Sequence, residues 1–373
     1  MPGGGTGARE GSQAFDFALP FNTGITNIHS NKIISVFSWL DAIDHGDQMD
    51  TFNSGVCKKA VPGVRANKVP IDEHGKPTNV KLTTPIKMVW QYSGNSLLGQ
   101  TGDNNRSAEI LRDDSKCELV VVCDIQYTTS ARYADYILPG TSTAEEDDIH
   151  PGENGGPMAY GIVSSQAIRP LYECRNIYDI CVGLAKRLGT EKEFTGGLTR
   201  TQWLERTIAE TRKDNPELPT YREWKKMGIF RKDMDPHVEL AEFRKDPGSN
   251  PLDTPSGKIE IYSERLAAMS KVWTFGTFHD KLRGDDLTAL PEYVATWEGP
   301  EEAKASKKYP FQVIGHHFKG RTHSSYGNVD WLVDAHPQTV WINTKDARTK
   351  GITNGDEVFV YNDRGTIRLP ARV

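Results

Sequence analysis

With 373 residues the chain exceeds the roughly 250 to 300 at which single hydrophobic cores stop growing, so two or more domains are expected. Forty-five basic residues against fifty acidic ones leave a net charge of −5, which offers no whole-molecule attraction for nucleic acid or an anionic membrane. Hydrophobic residues make up 37% before the 34 glycines are counted, an ordinary globular composition, and no apolar run approaches the ~20 residues of a membrane span.

The opening, MPGGGTGAREGS, is a glycine-rich loop without the apolar stretch of a secretory leader, and reads as an internal segment. SVFSWLDAIDHG then places apolar residues at helical intervals before a glycine stop and predicts a short helix. From Gly55 to Pro85 the chain is rich in Lys, Pro, Gly and Thr and reads as a long surface excursion.

IKMVWQY (Ile86 to Tyr92) begins a different pattern, a nearly continuous apolar run followed by the polar loop GNSLLGQTGDNN and the helical RSAEILRDD. CELVVVCD (Cys117 to Asp124) is a second buried strand, TTSARYAD a Thr-capped helical turn, and YILPG a third strand. Uninterrupted apolar strands alternating with helices predict a parallel sheet covered on both faces, half of a doubly wound nucleotide-binding unit. After the glycine-rich stretch Gly152 to Gly161, GIVSSQAIRP reads as a strand and NIYDICVGLAKRLG as a helix ending on Gly189. Glu191 to Asp253 is charged and helical, TPSGKIEIYSERLAAM gives a turn, a short strand and a helix start, and the region from about Val272 to Lys308 reads as irregular linker. From Tyr309 the character is β: FQVIGHH, then QTVWINTKDARTKGI and DEVFVYNDRGTIRLPARV, with an Asn-Asp-Arg-Gly hairpin signal and a pattern that stops at Val373 as if unpaired. The fold class expected is α/β followed by mostly β.

Open α/β sheets bind ligands beyond the carboxyl ends of their strands, here the loops Gly94 to Asn105 and Asp124 to Ser130. Gly94 and Gly99 let backbone amides approach a phosphate, Asn95, Ser96, Gln100 and Asn104 add neutral donors, and Asp124 can accept from a ribose or a purine amino group. A plain turn capped by Asp124 explains the same spacing, and neither a Walker lysine nor G-x-G-x-x-G occurs. The five cysteines, Cys57, Cys117, Cys123, Cys174 and Cys181, are odd in number and form no C-x-x-C pair, so they read as packing thiols.

The stretch GHHFKGRTHSSYGN, Gly315 to Asn328, is the densest concentration of donors. Arg321 suits bidentate contact with a phosphate, His316, His317 and His323 donate or accept, and Gly315, Gly320 and Gly327 permit close backbone approach. A large polyanionic ligand fits it better than a metal, because no H-x-x-x-H and no supporting cysteine or carboxylate pair is present.

Together, GGGTGAREGS, NRSAEILRDDSKCELVVVCDIQYTTSARYADYILP, NPLDTPSGKIEIYSERLA, GHHFKGRTHSSYGNVD and WINTKDARTKGITNGDEVFVYNDRG resemble catalytic subunits of the dimethyl sulfoxide reductase family of molybdopterin oxidoreductases, in order and over nearly the whole chain. The resemblance implies molybdenum held by two molybdopterin guanine dinucleotides (bis-MGD), a 4Fe-4S cluster near the N-terminus of such subunits, and reduction of S- or N-oxides by oxygen-atom transfer in anaerobic respiration. It implies cofactor contacts at Asn95, Gln100, Asp124, His316, Arg321, His323, Ser324, Ser325 and Asn328. It divides the chain into a partial α/β dinucleotide-binding domain (1–150), a mixed helical and extended connecting region (151–305) and the start of a double-psi-type β-barrel (306–373). No cluster cysteines and no serine segment ligating the metal are present, so the chain is expected to be a C-terminal-side portion of such a subunit, inactive alone and incomplete in its barrel. An iron–sulfur electron-transfer subunit, a membrane anchor and a periplasmic, membrane-associated location are implied by the family only. Selenate, biotin sulfoxide and trimethylamine N-oxide reductases are alternatives within it, and an inactive relative kept as a structural or electron-transfer subunit is the alternative outside it.

Overall fold

The computed structural model describes residues 32–58, 72, 74, 76–151, 160–232, 238, 240–274, 285–322 and 325–373. The glycine-rich opening, most of the Gly152 to Gly161 stretch, and His323 and Ser324 lie outside the described residues.

Strand β1 (Lys32–Ile33) pairs antiparallel with β2 (Cys57–Lys58), and between them lie helices α1 (Trp39–His45) and α2 (Thr51–Ser54). Asp50 caps α2, accepting from the backbone N–H groups of Phe52 and Asn53, while Asn53 reaches back to the Asp50 N–H in a capping box. The excursion after Gly55 is anchored at both ends, because Val56, Val80 and Leu82 are buried with Ala42 and Met49. Gly46 ends α1 beneath a crossing backbone: a Cβ there would lie 2.5 Å from the carbonyl oxygens of Ala42 and Thr84.

The parallel sheet is present as expected, with β3 (Met88–Tyr92), β4 (Leu119–Asp124) and β5 (Tyr136–Pro139) in the order β3-β4-β5. Its register sets Val89 beside Val120 and Tyr92 beside Cys123. Helices α3 (Ser96–Gly99) and α4 (Asn104–Leu111) connect the first two strands, and a 3-10 turn at Ser130–Tyr133 connects the next two. Side chains alternate across a strand, so Val120 and Val122 face one side, where Leu97, Leu98, Ile110, Leu111 and Ala131 join Trp39, Leu40 and Ile43 of α1 in one core. Each fully buried side chain of this kind contributes about 1.5–3 kcal/mol. The other face is covered only in part: Val121 and Cys123 are buried, but Met88, Tyr92 and Tyr136 are exposed. An ion-pair network ties α1 to α4, with Arg106 on Asp41 and Asp44 at 2.9 and 3.3 Å and Lys116 on Asp44 at 2.8 Å.

The middle region is organised around β6 (Asp148–Pro151), β7 (Tyr160–Ser164) and β8 (Ile229–Arg231), antiparallel in that order. Helices α5 (Ile177–Arg187), α6 (Glu191–Thr195), α7 (Arg200–Asp214) and α8 (Tyr221–Met227) lie between β7 and β8 in sequence. Capping boxes Thr199/Gln202 and Thr220/Glu223 start α7 and α8, and Trp224 of α8 is buried with Val163, Ile208, Leu218 and Tyr221. Short helices α9 (Ala241–Lys245), α10 (Glu264–Ser270) and α11 (Pro300–Ala305) follow, so the expected linker before Lys308 contains a helix with proline at its first position. The strand expected in KIEIYS does not form: Ile259 and Ile261 are 68% and 71% exposed and no described strand lies beside them.

The C-terminal region is less β than its composition implied. After α12 (Asp330–Ala335) and β9 (Val340–Trp341), the segment read as strand is helix α13 (Thr344–Lys350), capped by Asn343 and ended by Gly351 at φ +69°. FQVIGHH is not a strand either; it has no ladder partner among the described residues and leaves Ile314 81% exposed. The hairpin signal holds, since β10 (Glu357–Asn362) and β11 (Gly365–Arg372) close on Asn362 opposite Gly365. Contrary to the expectation of an unpaired end, β11 is the central strand of the order β10-β11-β9, parallel to β9. All five cysteines are free, Cys117 and Cys123 buried and the other three half-buried.

Candidate functional site

The carboxyl end of β3 continues directly into the polar loop. Ser93 N–H donates to the Cys123 carbonyl at 2.8 Å, so the loop begins beside Asp124 at the end of β4. Ser93, Gly94 and Asn95 all have positive φ, 59°, 86° and 47°, a run that costs the two non-glycines about 1–2 kcal/mol each. The surroundings hold it there. Asn95 Oδ1 accepts from both Ser130 N and Ser130 Oγ, at 3.0 and 2.8 Å, and Ser130 Oγ in turn accepts from Leu98 N at 3.1 Å. Gln91, buried within β3, accepts from Leu97 N at 3.0 Å. The N–H groups of Gly94, Asn95 and Ser96 are left without an acceptor among the described residues. Strained backbone with consecutive unmatched amides at a strand's carboxyl end is suited to an anion such as a phosphate.

Asp124 is half-buried and uses Oδ1 on its own turn, accepting from Ile125 N at 2.7 Å and Gln126 N at 3.3 Å. This is the turn-capping role that its spacing also allowed, and it leaves Oδ2 for a ligand donor. Beneath it, burial pushes the Cys123 thiol up to about 11, with Asp124 and Cys181 adding to the effect, so this sulfur is a neutral packing group at neutral pH. Gln100 follows α3 and is exposed.

Two contacts bring the C-terminal region to this edge. Asn328 Nδ2 donates to Gln126 Oε1 at 3.1 Å, and Asn105 Nδ2 donates to the Arg364 carbonyl at 2.6 Å. The donor-rich stretch therefore meets the loop after β4, while the β10–β11 turn meets the loop after β3. Within the stretch, Arg321 lies over the Phe318 ring at 5.0 Å, His316 packs edge-on to Trp341 at 6.0 Å, and Thr322 and Ser325 exchange backbone hydrogen bonds. His316, His317, Arg321, Ser325 and Asn328 are exposed, and Gly320 is buried where a Cβ would lie 3.0 Å from His336 Cβ. Among the described residues no three His, Cys, Asp or Glu side chains are grouped to hold a metal ion.

Sequence reasoning missed Gln91, Ser130, Gln126 and Asn105, which arm or lock the loops. Gln91 carried a signal, a polar residue inside an apolar strand. The rest depend on contacts between distant segments. The residues present fit a phosphate-bearing dinucleotide: unmatched amides and an open carboxylate oxygen lie at the edge of the sheet, and the stretch that carries the exposed Arg321 guanidinium reaches that edge at Asn328.

Comparison with known proteins places this geometry in a family. The profile described as molybdopterin oxidoreductase matches residues 12–187, and that described as Molydopterin dinucleotide binding domain matches residues 311–373. Dimethyl sulfoxide reductase DmsA of Escherichia coli K12 is 43% identical over 375 residues, covering 100% of this chain and 42% of the relative. Trimethylamine-N-oxide reductase 1 of the same organism is 30% identical over 388 residues, again 100% of this chain and 42% of the relative. The chain thus spans less than half the length of these relatives. Acetylene hydratase from Pelobacter acetylenicus shares the fold at a TM-score of 0.56 and 24% identity, covering 78% of this chain and 35% of that one. The mixed α/β fold with a parallel sheet and the two matching profiles agree, and the chain belongs to the molybdopterin oxidoreductase family.

Proposed function

We propose that the chain is part of a molybdenum oxidoreductase catalytic subunit that reduces dimethyl sulfoxide or a related S- or N-oxide by oxygen-atom transfer in anaerobic respiration, with molybdopterin guanine dinucleotide as cofactor. The observation that carries this reading is the Asn328–Gln126 contact, which joins the donor-rich stretch to the carboxyl edge of the parallel sheet, where amides of Gly94, Asn95 and Ser96 stand unmatched. When bound, the cofactor supplies the oxygen-atom and electron transfer chemistry; the protein supplies orientation, hydrogen bonding and exclusion of water.

The residues divide the work by chemistry. The unmatched amides, helped by Gln100 and the fixed Asn95, hold phosphate oxygens. Asp124 Oδ2 accepts from a ribose hydroxyl or a guanine N–H. Arg321, kept flat by its Phe318 partner, directs N–H groups at the pyrophosphate. His316, Ser325 and Asn328, with His323 and Ser324 on the strength of the resemblance, meet the donor and acceptor edge of the pterin. No described side chain is assigned as a general acid or base.

In this reading residues 1–150 are part of a doubly wound dinucleotide-binding domain, 151–305 connect, and 306–373 begin a double-psi-type barrel. The 4Fe-4S cluster belongs to a segment outside this chain, and an iron–sulfur subunit with a membrane anchor supplies electrons on the periplasmic side. No helix of the described residues is long and apolar enough to cross a membrane. The names of the relatives support both dimethyl sulfoxide and trimethylamine N-oxide as substrates. The test is molybdenum and guanine nucleotide analysis of the purified full-length protein, with reduced-viologen turnover of both oxides, biotin sulfoxide and selenate. Absence of metal and nucleotide, or turnover of none, overturns the proposal in favour of a structural relative.

A further inference from the structure

We propose that Gln91 is a positioning residue for the loop after β3, its buried carboxamide latching the turn when an anion engages the amides of Gly94, Asn95 and Ser96. This role rests on the cofactor reading of that loop and adds to it a link between ligand and loop.

Gln91 stands where an apolar side chain is expected. It pairs with Val122 in the ladder and is 6% exposed, on the face of the sheet where Val120 and Val122 pack with Leu97 and Leu98. A carboxamide in such a core is costly unless both of its ends are paired. Only one end is paired. Oε1 accepts from Leu97 N at 3.0 Å, whereas Nε2 is buried with no acceptor among the described residues.

The pairing along the backbone gives the free end a task. Leu97 N is taken by Gln91, Leu98 N by Ser130 and Gly99 N by the Asn95 carbonyl, so matched amides begin directly after the unmatched run from Gly94 to Ser96. In a planar trans peptide the N–H and the C=O point in opposite directions. Turning the N–H groups of Gly94 and Asn95 toward an anion therefore turns the carbonyls of Ser93 and Gly94 back toward the sheet, and neither carbonyl accepts a hydrogen bond among the described residues. Gln91 Nε2 is the unmatched donor on that side. A bond from it to either carbonyl holds the amides outward, so anion binding is favoured by the buried donor that it satisfies.

The experiment compares the full-length wild type with Gln91→Met, which keeps the bulk and removes both ends of the carboxamide. It reads the denaturant midpoint of the dinucleotide-free protein, the release rate of the bound dinucleotide, and hydrogen exchange at residues 93–97 with and without it. The variant relieves one buried unmatched donor and strands the Leu97 N–H, so the midpoint should barely move, while release should quicken about tenfold, the equivalent of one lost hydrogen bond. Loading the wild type should slow exchange at residue 97 together with residues 94–96, because one carboxamide serves both. That comparison needs no variant and decides even where Gln91→Met fails to fold. Release unchanged in the variant, or slowing confined to residues 94–96 in the wild type, overturns the role, and a midpoint that falls in step with faster release overturns it in favour of plain packing. A wild type that binds no guanine nucleotide overturns the cofactor reading and this role with it, an outcome distinct from wild-type binding that Gln91→Met leaves intact.

Discussion

Asn328 and Gln126, 202 positions apart in sequence, are joined by a 3.1 Å hydrogen bond from the side-chain nitrogen of one to the side-chain oxygen of the other. Gln126 is itself held by its backbone N–H on Asp124 Oδ1. The carboxylate at the end of β4, the turn after it and the donor-rich stretch therefore form one chain of contacts. Both amides are exposed, so the bond adds little to stability and its consequence is positional. A double-mutant cycle on Gln126→Ala and Asn328→Ala, read as dinucleotide retention by the full-length protein, should give a coupling of about 0.5–1.5 kcal/mol. Strict additivity would show that the contact does not link the two halves of the cleft.

Ser130 is fully buried and connects Asn95 to Leu98 through one hydroxyl. Replacing it with alanine leaves the Leu98 N–H without its acceptor and takes one of two donors from the Asn95 carboxamide oxygen, the backbone N–H of residue 130 remaining. Ser130→Ala should destabilise the protein by about 1–3 kcal/mol and loosen the loop after β3. Denaturant unfolding measures the first, and hydrogen exchange of residues 93–99 measures the second. Unchanged exchange would mean that the strained φ values are held by something else.

Gly46 makes a different demand, for space. The atoms a Cβ would meet are the carbonyl oxygens of Ala42 and Thr84 and the Pro85 Cα, at 2.5, 2.5 and 2.7 Å. All are backbone and cannot rotate away. Gly46→Ala should lose about 1–3 kcal/mol by overpacking, seen as a lowered denaturant midpoint. A neutral result would mean that α1 shifts freely against the strand that follows residue 85.

Acid should weaken the junction between α1 and α4. Burial alone would raise the Asp44 carboxyl, but hydrogen bonds and charge from Lys116, then Arg106, outweigh it and hold it below its ordinary value. A carboxyl lowered in the folded state stabilises above its unfolded pKa, about 3.9, and loses that contribution as pH falls through the folded value. Thermal melting should therefore drop below about pH 4 in part through Asp44, and Asp44→Asn should show a shallower drop over that window. Arg106→Met should destabilise at neutral pH, because it leaves Asp41 and Asp44 without the guanidinium. Identical pH profiles for the wild type and Asp44→Asn would remove this group from the acid response.

Local pattern was enough for the strands of the parallel sheet, because LVVVC and MVW are short continuous apolar runs bounded by polar loops. It was enough for α1 and α5, whose periodicity and glycine stops act within a few residues, for α4, whose composition is helical, and for the Asn-Asp-Arg-Gly hairpin, whose two strands are neighbours in sequence. The polar loops after β3 and β4 were also legible as concentrations of glycine and short polar residues. Where periodicity and composition were taken as sufficient, they failed: FQVIGHH and KIEIYS look like strands, but a strand exists only when another backbone lies beside it, and α13 was marked by Asn343 and Gly351 rather than by its apolar residues. Only the tertiary structure decided that Ser130 fastens Asn95, that Gln126 rather than the loop after β3 meets Asn328, that Asp124 spends one oxygen on its own turn, and that β11 lies between β10 and β9. The reason is range. Caps, turns and hydrophobic alternation are settled by groups a few bonds apart, whereas a side-chain hydrogen bond across 202 residues is settled by how the packed units meet, which no short window of sequence encodes.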